Sequence, residues 1–181
     1  MQALVPLLDQ QTAPSASADT LAQIHGAFGA TPNMFRAVAN SPAALKAMWG
    51  AFGALGSGTI PALLGEKIAV AIADRNRCEY CLAAHTALGR KAGASAAEMT
   101  AAQAGHAEDP KTAAALAFAL KVVEQRGQLA DSEVAQLRAA GYRDEEVVEI
   151  LAHVALNLFT NYVNVAFAVP VDFPAVKLNP R

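Results

Sequence analysis

Both cysteines of this 181-residue chain lie close together, with a histidine just after them and a glutamate before them. Cys78 and Cys81 are three residues apart, and His85 follows one helical turn after the second. Residues three or four positions apart share one face of a helix, so a helix here would align both thiols with the imidazole. Glu66 lies twelve residues before Cys78. These four side chains are our candidate catalytic residues.

The chemistry that they suggest is two-electron thiol redox. Near a helix N-terminus in a Cys-x-x-Cys setting, a thiol pKa falls from about 8.5 to as low as roughly 3.5. His85 can take the proton of Cys81, and a carboxylate such as Glu66 can orient the imidazole. We therefore expect Cys81 to attack an acceptor such as a peroxide oxygen. Cys78, nearer the exposed helix start, would then close the disulfide, which an external dithiol reduces.

Other uses of these residues stay open. The pair also suits a general thiol–disulfide oxidoreductase or a redox sensor. In a different class of protein, a helical oligomer, the thiols would be structural or bind zinc together with His85. A fourth zinc ligand would have to be Glu66 or one of three histidines, His25, His106 and His153. The glycines match no phosphate-binding or dinucleotide-binding motif, and we predict no cofactor.

The composition favours an all-α protein and excludes several classes of partner. Hydrophobic residues make up 54% of the chain and charged residues 17%, with a net charge of −2. Abundant alanine with few aromatic residues favours helix over sheet. No basic stripe suits nucleic acid or an anionic membrane surface. The start lacks the pattern of a signal peptide, so we expect a cytoplasmic protein. The apolar excess favours a homo-oligomer.

Capping residues, prolines and glycines divide the chain into helices. Asp19 is predicted to cap the first helix, which ends near Phe28. Asn76, with Glu79 three residues on, is predicted to cap the cysteine helix in a capping box. The other helices are predicted over the ranges 32–40, 42–55, 61–74, 95–105, 109–127, 131–141 and 144–169. We expect a single domain over residues 1–181, in which residues 1–18 form an extended arm and residues 170–181 a coil.

The last predicted helix carries a stripe of polar side chains on an apolar background. His153, Asn157, Asn161 and Asn164 are spaced four, four and three residues apart and so share one face. These residues either hydrogen-bond across a helix or subunit interface, or they line the pocket that faces the cysteines. Both interpretations stay open, and the stripe is not among the predicted catalytic residues. The polar residues would be costly in hydrocarbon, which argues against a membrane span.

The pattern E-x11-C-x2-C-x3-H, from Glu66 to His85, resembles the active-site signature of the AhpD-like alkylhydroperoxidases in the carboxymuconolactone decarboxylase family. The segment HVALNLFTNYVNVAFAVPVDFP resembles the peroxidase-related branch of that family, and the likeness spans roughly residues 41–174. The resemblance implies a helical bundle, a trimer-based or hexameric homo-oligomer, and reduction of organic hydroperoxides. Some relatives take electrons from a lipoylated protein. By the same resemblance, Cys81 attacks and Cys78 resolves. Glu66 and His85 would form the proton relay.

Overall fold

All regular secondary structure that the computed structural model shows over residues 2–180 is helical. This confirms the predicted all-α class. The helices in chain order are α1 Ser15–Phe28, α2 Asn33–Val38, α3 Pro42–Gly56, α4 Ala62–Arg75, α5 Glu79–Lys91, α6 Ala96–Gln103, α7 Pro110–Gln125, α8 Asp131–Ala139 and α9 Asp144–Ala166.

Helix α4 lies at the centre of the bundle. It packs against α5, α6, α7 and α9, and all of its residues from Ile68 to Ala73 are buried. Apolar side chains therefore surround this half of the helix, which is the pattern of a fully buried helix. The cysteine helix α5 and the long helix α9 pack on this core, and Glu66 lies in the first half of α4.

Several helix starts follow the predicted capping. The side chains of Ser41 and Asp109 each accept the backbone hydrogen bond expected of an N-cap residue, and proline follows each of them. Ser95 and Glu98 form the predicted capping box. Each of these local contacts satisfies a backbone N–H group that the helix leaves free. Where such a local contact sets the boundary, the sequence predicts it correctly.

Asp19 does not cap α1, which begins before it. Ser17 is fully buried inside this helix, and its hydroxyl donates a hydrogen bond to the carbonyl of Ala39 at 2.9 Å. A tertiary contact therefore extends the helix beyond the boundary that local capping suggests. Because α1 begins at Ser15, the predicted arm over residues 1–18 is too long.

The cap of α5 also differs from the prediction. Asn76 is the C-cap of α4, and Arg77 adopts a left-handed φ of 58°. Helix α5 has Cys78 at its N-cap, where the sulfur accepts the backbone N–H of Cys81 at 3.3 Å. The predicted capping box between Asn76 and Glu79 is wrong, because Arg77 redirects the chain and a thiol takes the capping position.

Helix α9 is two-sided. Its inner face buries Asn157, Thr160, Asn161 and Asn164, whereas its outer face exposes large apolar side chains, namely Val148, Leu151, Phe159, Tyr162 and Val165. Among residues 2–180, no helix is both long enough and apolar enough to cross a membrane. The described residues after α9, from 167 to 180, contain no helix or strand.

Candidate active site

The two thiols lie buried together where α5 begins. Cys78 is 1% exposed and Cys81 is 2% exposed, and neither forms a disulfide in this structure. Cys78 is therefore not the accessible residue that its place near the helix start predicts. The inner face of α9 packs over this end of α5, so access to either sulfur must come through a cavity or cleft.

Polar side chains of α9 lie around the sulfur of Cys81. The amide of Asn164 donates to it at 3.1 Å, and the hydroxyl oxygen of Thr160 lies 4.0 Å away. A hydrogen bond from the Cys78 thiol lowers the pKa of Cys81 most, and burial opposes it. The charge of His85 and the amide of Asn164 lower it further, and the resulting pKa is about 6. Cys81 is therefore a thiolate at neutral pH.

Cys78 has the opposite protonation. The hydrogen bond that its thiol gives to Cys81, together with burial, raises the pKa of Cys78 well above its ordinary value. The N–H of Cys81, which points at the Cys78 sulfur, opposes this rise in pKa only in part. Two adjacent thiols share one proton because the first ionisation discourages the second. The shared proton lies on Cys78.

Glu66 and His85 meet directly. Nδ1 of the imidazole donates a hydrogen bond of 2.7 Å to the Glu66 carboxylate. Burial lowers the pKa of His85, but the charge and hydrogen bond of Glu66 and the charge of Cys81 together outweigh it, so the pKa is raised. This bond fixes the ring and leaves Nε2 for proton transfer. The structure thus brings together all four residues that the sequence analysis selected.

A glycine in α5 lies where α4, α5 and α6 meet. Gly89 lies one turn after His85, and a Cβ atom added to it would lie 3.4 Å from the Cβ of Glu66. The same atom would lie 2.6 Å from Sδ of Met99. A side chain at this position would therefore have to displace the end of the Met99 side chain. Spacing along the chain cannot reveal such a contact.

A cavity of about 140 Å³ opens beside this pair. Its polar wall is formed by Glu66 and His85, by Thr160, and by two members of the α9 stripe, His153 and Asn157. The remaining wall is mainly apolar and includes Phe52, Leu55, Ile60, Ala69 and Leu156. Among the described residues, buried Nε2 of His153 and Oδ1 of Asn157 have no hydrogen-bond partner.

The rest of the polar stripe faces the dithiol. Asn164 contacts Cys81 directly, and Asn161, which accepts a hydrogen bond from Asn76 at 3.0 Å, also helps to lower the pKa of Cys81. Both interpretations of the stripe therefore hold in part, because Asn161 hydrogen-bonds to the end of α4 whereas Asn164 contacts Cys81. Asn161 and Asn164 are site residues that the sequence analysis did not select, although their spacing signals a shared face. No sequence signal marks Thr160.

A second, open cleft reaches the dithiol one to two turns further along α9. Its volume is about 470 Å³, and it has no lining residue in common with the cavity. Its floor includes Cys78 and Asn164. Its walls are largely aliphatic and come from the end of α9 and the segment after it, with Val165, Ala168, Val169 and Val171.

Within residues 2–180, no three or more side chains of His, Cys, Asp or Glu are grouped so as to hold a metal ion. The zinc alternative needs four ligands around the two cysteines. Neither His25 nor His106 lines the cavity or the cleft. His153, which does line the cavity, faces Glu66 and His85 and belongs to no such group.

Comparison with known proteins gives the same picture. Residues 42–125 match the carboxymuconolactone decarboxylase family. The structure resembles an alkylhydroperoxidase AhpD core protein, an uncharacterized peroxidase-related protein from Ralstonia eutropha JMP134, with a TM-score of 0.85 and 23% identity over 94% of this chain and 92% of that one. A peroxidase-related protein from Silicibacter sp. TM1040 has a TM-score of 0.80 and 24% identity over 92% and 88% of the two chains.

The debrominase Bmp8, solved in complex with 2,3,4-tribromopyrrole, is similar to the same degree. Its TM-score is 0.80 at 23% identity, over 95% of this chain and 93% of that one. No curated protein sequence matches the chain.

The fold is thus the AhpD-like helical fold, which occurs in proteins described as peroxidase-related and in a debrominase. The match to the carboxymuconolactone decarboxylase family covers residues 42–125, a little under half of the chain, whereas the likeness to the solved structures extends the fold over nearly its whole length. The predicted AhpD-like fold is confirmed, and residues 42–125 match the family that the sequence resembles. Because one fold can carry several activities, the reaction has to be argued from the site.

Proposed function

We propose that the protein is a cysteine-dependent peroxidase that reduces a compact organic hydroperoxide. The observation that carries the proposal is the 2.7 Å hydrogen bond between Glu66 and His85 beside a buried Cys81 whose pKa is about 6. Cleavage of an O–O bond needs a thiolate and a proton donor for the leaving oxygen. The two cysteines and the relay would supply both.

In the first step, the Cys81 thiolate attacks the outer peroxide oxygen and the O–O bond breaks. The alkoxide leaves with a proton from His85, whose charge Glu66 stabilises. The products are an alcohol and a sulfenic acid on Cys81. The peroxide is reduced by two electrons, and the sulfur is oxidised by two.

In the second step, the sulfur of Cys78 attacks the sulfur of Cys81. Hydroxide leaves and takes up the Cys78 proton, which gives water and the Cys78–Cys81 disulfide. The backbone N–H that points at Cys78 stabilises its developing thiolate. An external dithiol, which a lipoylated protein could carry, restores both thiols and becomes a disulfide itself.

The size of the cavity supports a compact substrate. Its volume of about 140 Å³ is close to that of an engineered cavity of about 150 Å³ that binds benzene. Its apolar wall suits a small alkyl or aryl group, and its polar wall, which includes His85 and Thr160, suits the peroxide end. We therefore propose tert-butyl or cumene hydroperoxide as better substrates than a long-chain fatty-acid hydroperoxide.

The test is peroxide consumption with dithiothreitol, dihydrolipoamide or thioredoxin as the reductant. We expect Cys81→Ser to abolish turnover because it removes the attacking sulfur. Cys78→Ser should complete a single oxidation and keep a sulfenic acid that dimedone traps. Full turnover in both variants, or faster turnover of a fatty-acid hydroperoxide than of cumene hydroperoxide, would contradict the proposal.

A second candidate is reductive dehalogenation of a small aromatic ring. The observation that favours it is the similarity, over nearly the whole chain, to a debrominase solved with tribromopyrrole. The electron balance is the same as in peroxide reduction, because the dithiol again supplies two electrons. The C–Br bond is replaced by a C–H bond, and bromide and the protein disulfide are formed. Bromide release from 2,3,4-tribromopyrrole, measured beside peroxide consumption, decides between the two reactions.

We also propose that the chain forms a homo-oligomer through the outer face of α9. Large apolar side chains there, such as Val148 at 67% and Tyr162 at 59%, are exposed in a single chain. Contiguous exposed apolar surface of this kind marks interaction sites. The mass in solution, measured by light scattering, tests this proposal.

A further inference from the structure

The dithiol can be approached from two separate openings. Thr160 and His85, next to Cys81, line the small cavity. Cys78 and Asn164 line the open cleft near the end of α9. Cys81 itself lines neither opening. The cleft is therefore lined by Cys78 of the two cysteines, whereas the cavity is lined by the relay residues Glu66 and His85.

We propose that the open cleft is the entry site of the reductant, a dithiol on an aliphatic chain, and that its thiolate attacks the sulfur of Cys78 in the disulfide. The inference rests on the dithiol cycle of the proposed function and adds the site and the direction of the reductive half. Ala168, Val169 and Val171, which follow α9, give the cleft an aliphatic wall that suits a saturated chain. Its volume of about 470 Å³ admits a larger molecule than the cavity does.

The exchange then proceeds in two displacements. A reductant thiolate forms a mixed disulfide with Cys78, and Cys81 leaves as a thiolate, which the amide of Asn164 holds at 3.1 Å. The second thiol of the reductant then attacks the first sulfur of the reductant, which is bound to Cys78 in the mixed disulfide. Cys78 leaves and takes the proton, and the reductant becomes a disulfide. Two electrons pass to the protein, and both of its thiols are restored.

The identity of the leaving sulfur supports attack at Cys78. In thiol–disulfide exchange, the thiol of lower pKa leaves faster. The donors around Cys81 stabilise its thiolate, whereas burial disfavours a thiolate on Cys78. The cysteine that lines the cleft is thus also the one whose sulfur is the poorer leaving group. A dithiol is also the suitable reductant, because its second thiol acts at high effective concentration.

The backbone around the cleft supports a functional role. Arg77 and Ala168 line it, with φ values of 58° and 49°, and among the described non-glycine residues only Arg126 shares this left-handed conformation. Such conformations are sparsely populated and cluster at functional sites. Here they turn the chain at both ends of the cleft, before α5 and after α9.

The first experiment measures each half of the cycle separately. Diamide converts the reduced protein to the disulfide form, so the reductive half does not depend on peroxidase activity. Val171→Trp should narrow the cleft and slow reduction by dihydrolipoamide about tenfold or more, since small misplacements of reacting groups cost up to about a hundredfold. Its control, Ala175→Trp, is exposed in the same coil but lies outside the cleft and should reduce at the wild-type rate.

A converse variant, Leu55→Trp, narrows the cavity instead. It should slow oxidation by cumene hydroperoxide while leaving the reduction rate of the diamide-made disulfide unchanged. Equal reduction rates in Val171→Trp and Ala175→Trp, or slowed reduction in Leu55→Trp, would overturn the assignment of the cleft. If no hydroperoxide oxidises the protein but Val171→Trp still slows reduction of the diamide-made disulfide, only the peroxidase proposal is refuted.

The second experiment identifies the attacked sulfur. The disulfide form reacts briefly with the monothiol cysteamine and is then quenched in acidic maleimide. Fragmentation of the peptide from Cys78 to Arg90 locates each label. We expect cysteamine on Cys78 and maleimide on Cys81. The reverse labelling would overturn the proposed direction of attack.

Discussion

At Cys81, the protein stabilises a buried thiolate mainly with neutral donors. The Cys78 thiol contributes most, and the amides of Asn164 and Asn161 add to it, whereas His85 supplies the charge. A hydrogen bond to a charged group contributes about 1.5–3 kcal/mol, which is enough to offset much of the cost of burial. Cys78 therefore has two tasks, because it first stabilises the attacking thiolate and later replaces the hydroxide on it.

The first task can be separated from the second by two variants. Cys78→Ser keeps a hydroxyl that can donate to Cys81, whereas Cys78→Ala removes the donor. We expect the pKa of Cys81 to be higher in the alanine variant by about one unit, since one unit corresponds to 1.36 kcal/mol. The pH dependence of iodoacetamide alkylation measures it. Equal midpoints of the alkylation curves in the two variants would show that Cys78 does not act as a donor to Cys81.

The four candidate residues could be selected from the sequence because each stands at a helical spacing or in a family pattern. The environment of these residues could not be predicted from the sequence. The burial of Cys78 depends on α9, whose contacting residue Asn164 lies 83 positions after Cys81. A polar stripe has the same appearance in a sequence whether it faces a site or an interface. The long-range packing that decides between them leaves no local signal.

Among the helical elements, the connection between α3 and α4 is held by a single carboxylate. Glu149 of α9 accepts the N–H of Thr59 at 2.9 Å, its hydroxyl at 2.7 Å, and the N–H of Ile60 at 2.9 Å. A Cβ atom on Gly58 would overlap this carboxylate, so a side chain there would have to displace it from these hydrogen bonds. Because Ile60 lines the cavity, Glu149 also positions part of the cavity wall.

Glu149→Gln should destabilise the protein by about 1–2 kcal/mol at pH 7, because an amide accepts these bonds less strongly than a carboxylate does. Burial raises the pKa of Glu149, but the bonds from Ile60 and Thr59 outweigh it and lower the pKa below 4.5. The folded state therefore binds this proton less readily than the unfolded state. The stabilisation is present above the unfolded pKa and is lost as the pH falls through the folded one.

Urea unfolding at pH 7 and below pH 4 measures this difference. Glu145→Gln is the matched control, because that side chain is 61% exposed on the same helix and forms only an ion pair with Arg143. Exposed pairs contribute little, so the control should unfold like the wild type. A Glu149→Gln effect that persists unchanged in acid would refute the charge-dependent explanation.

The helix boundaries show which information is local. Ser41, Ser95 and Asp109 cap their helices through contacts within three residues, and the sequence predicts them. The start of α1 depends on a contact between Ser17 and Ala39, and it could not be predicted. At α5 an asparagine is the better capping residue by type, yet the left-handed Arg77 moves the cap to a cysteine.

Over the whole molecule, the two openings separate the two halves of the proposed cycle. The cavity on the relay side suits a small oxidant, and the cleft on the Cys78 side suits a longer reductant. The two reactants therefore need not displace one another between half-reactions. The central helix α4 makes this arrangement possible, since it holds Glu66 against α5 on one side and packs against α9 as well.

The burial of the Cys81–His85 pair also determines how the site responds to ionic strength. Cys81 is 2% exposed and the His85 side chain 13% exposed, so mobile ions are largely kept away from both. Ions screen exposed charges over about 10 Å at 0.1 M salt, but they screen buried pairs much less. The alkylation midpoint of Cys81 should therefore move by less than roughly 0.3 pH units up to about 1 M sodium chloride. A larger rise would mean that the thiolate depends on charges at the surface.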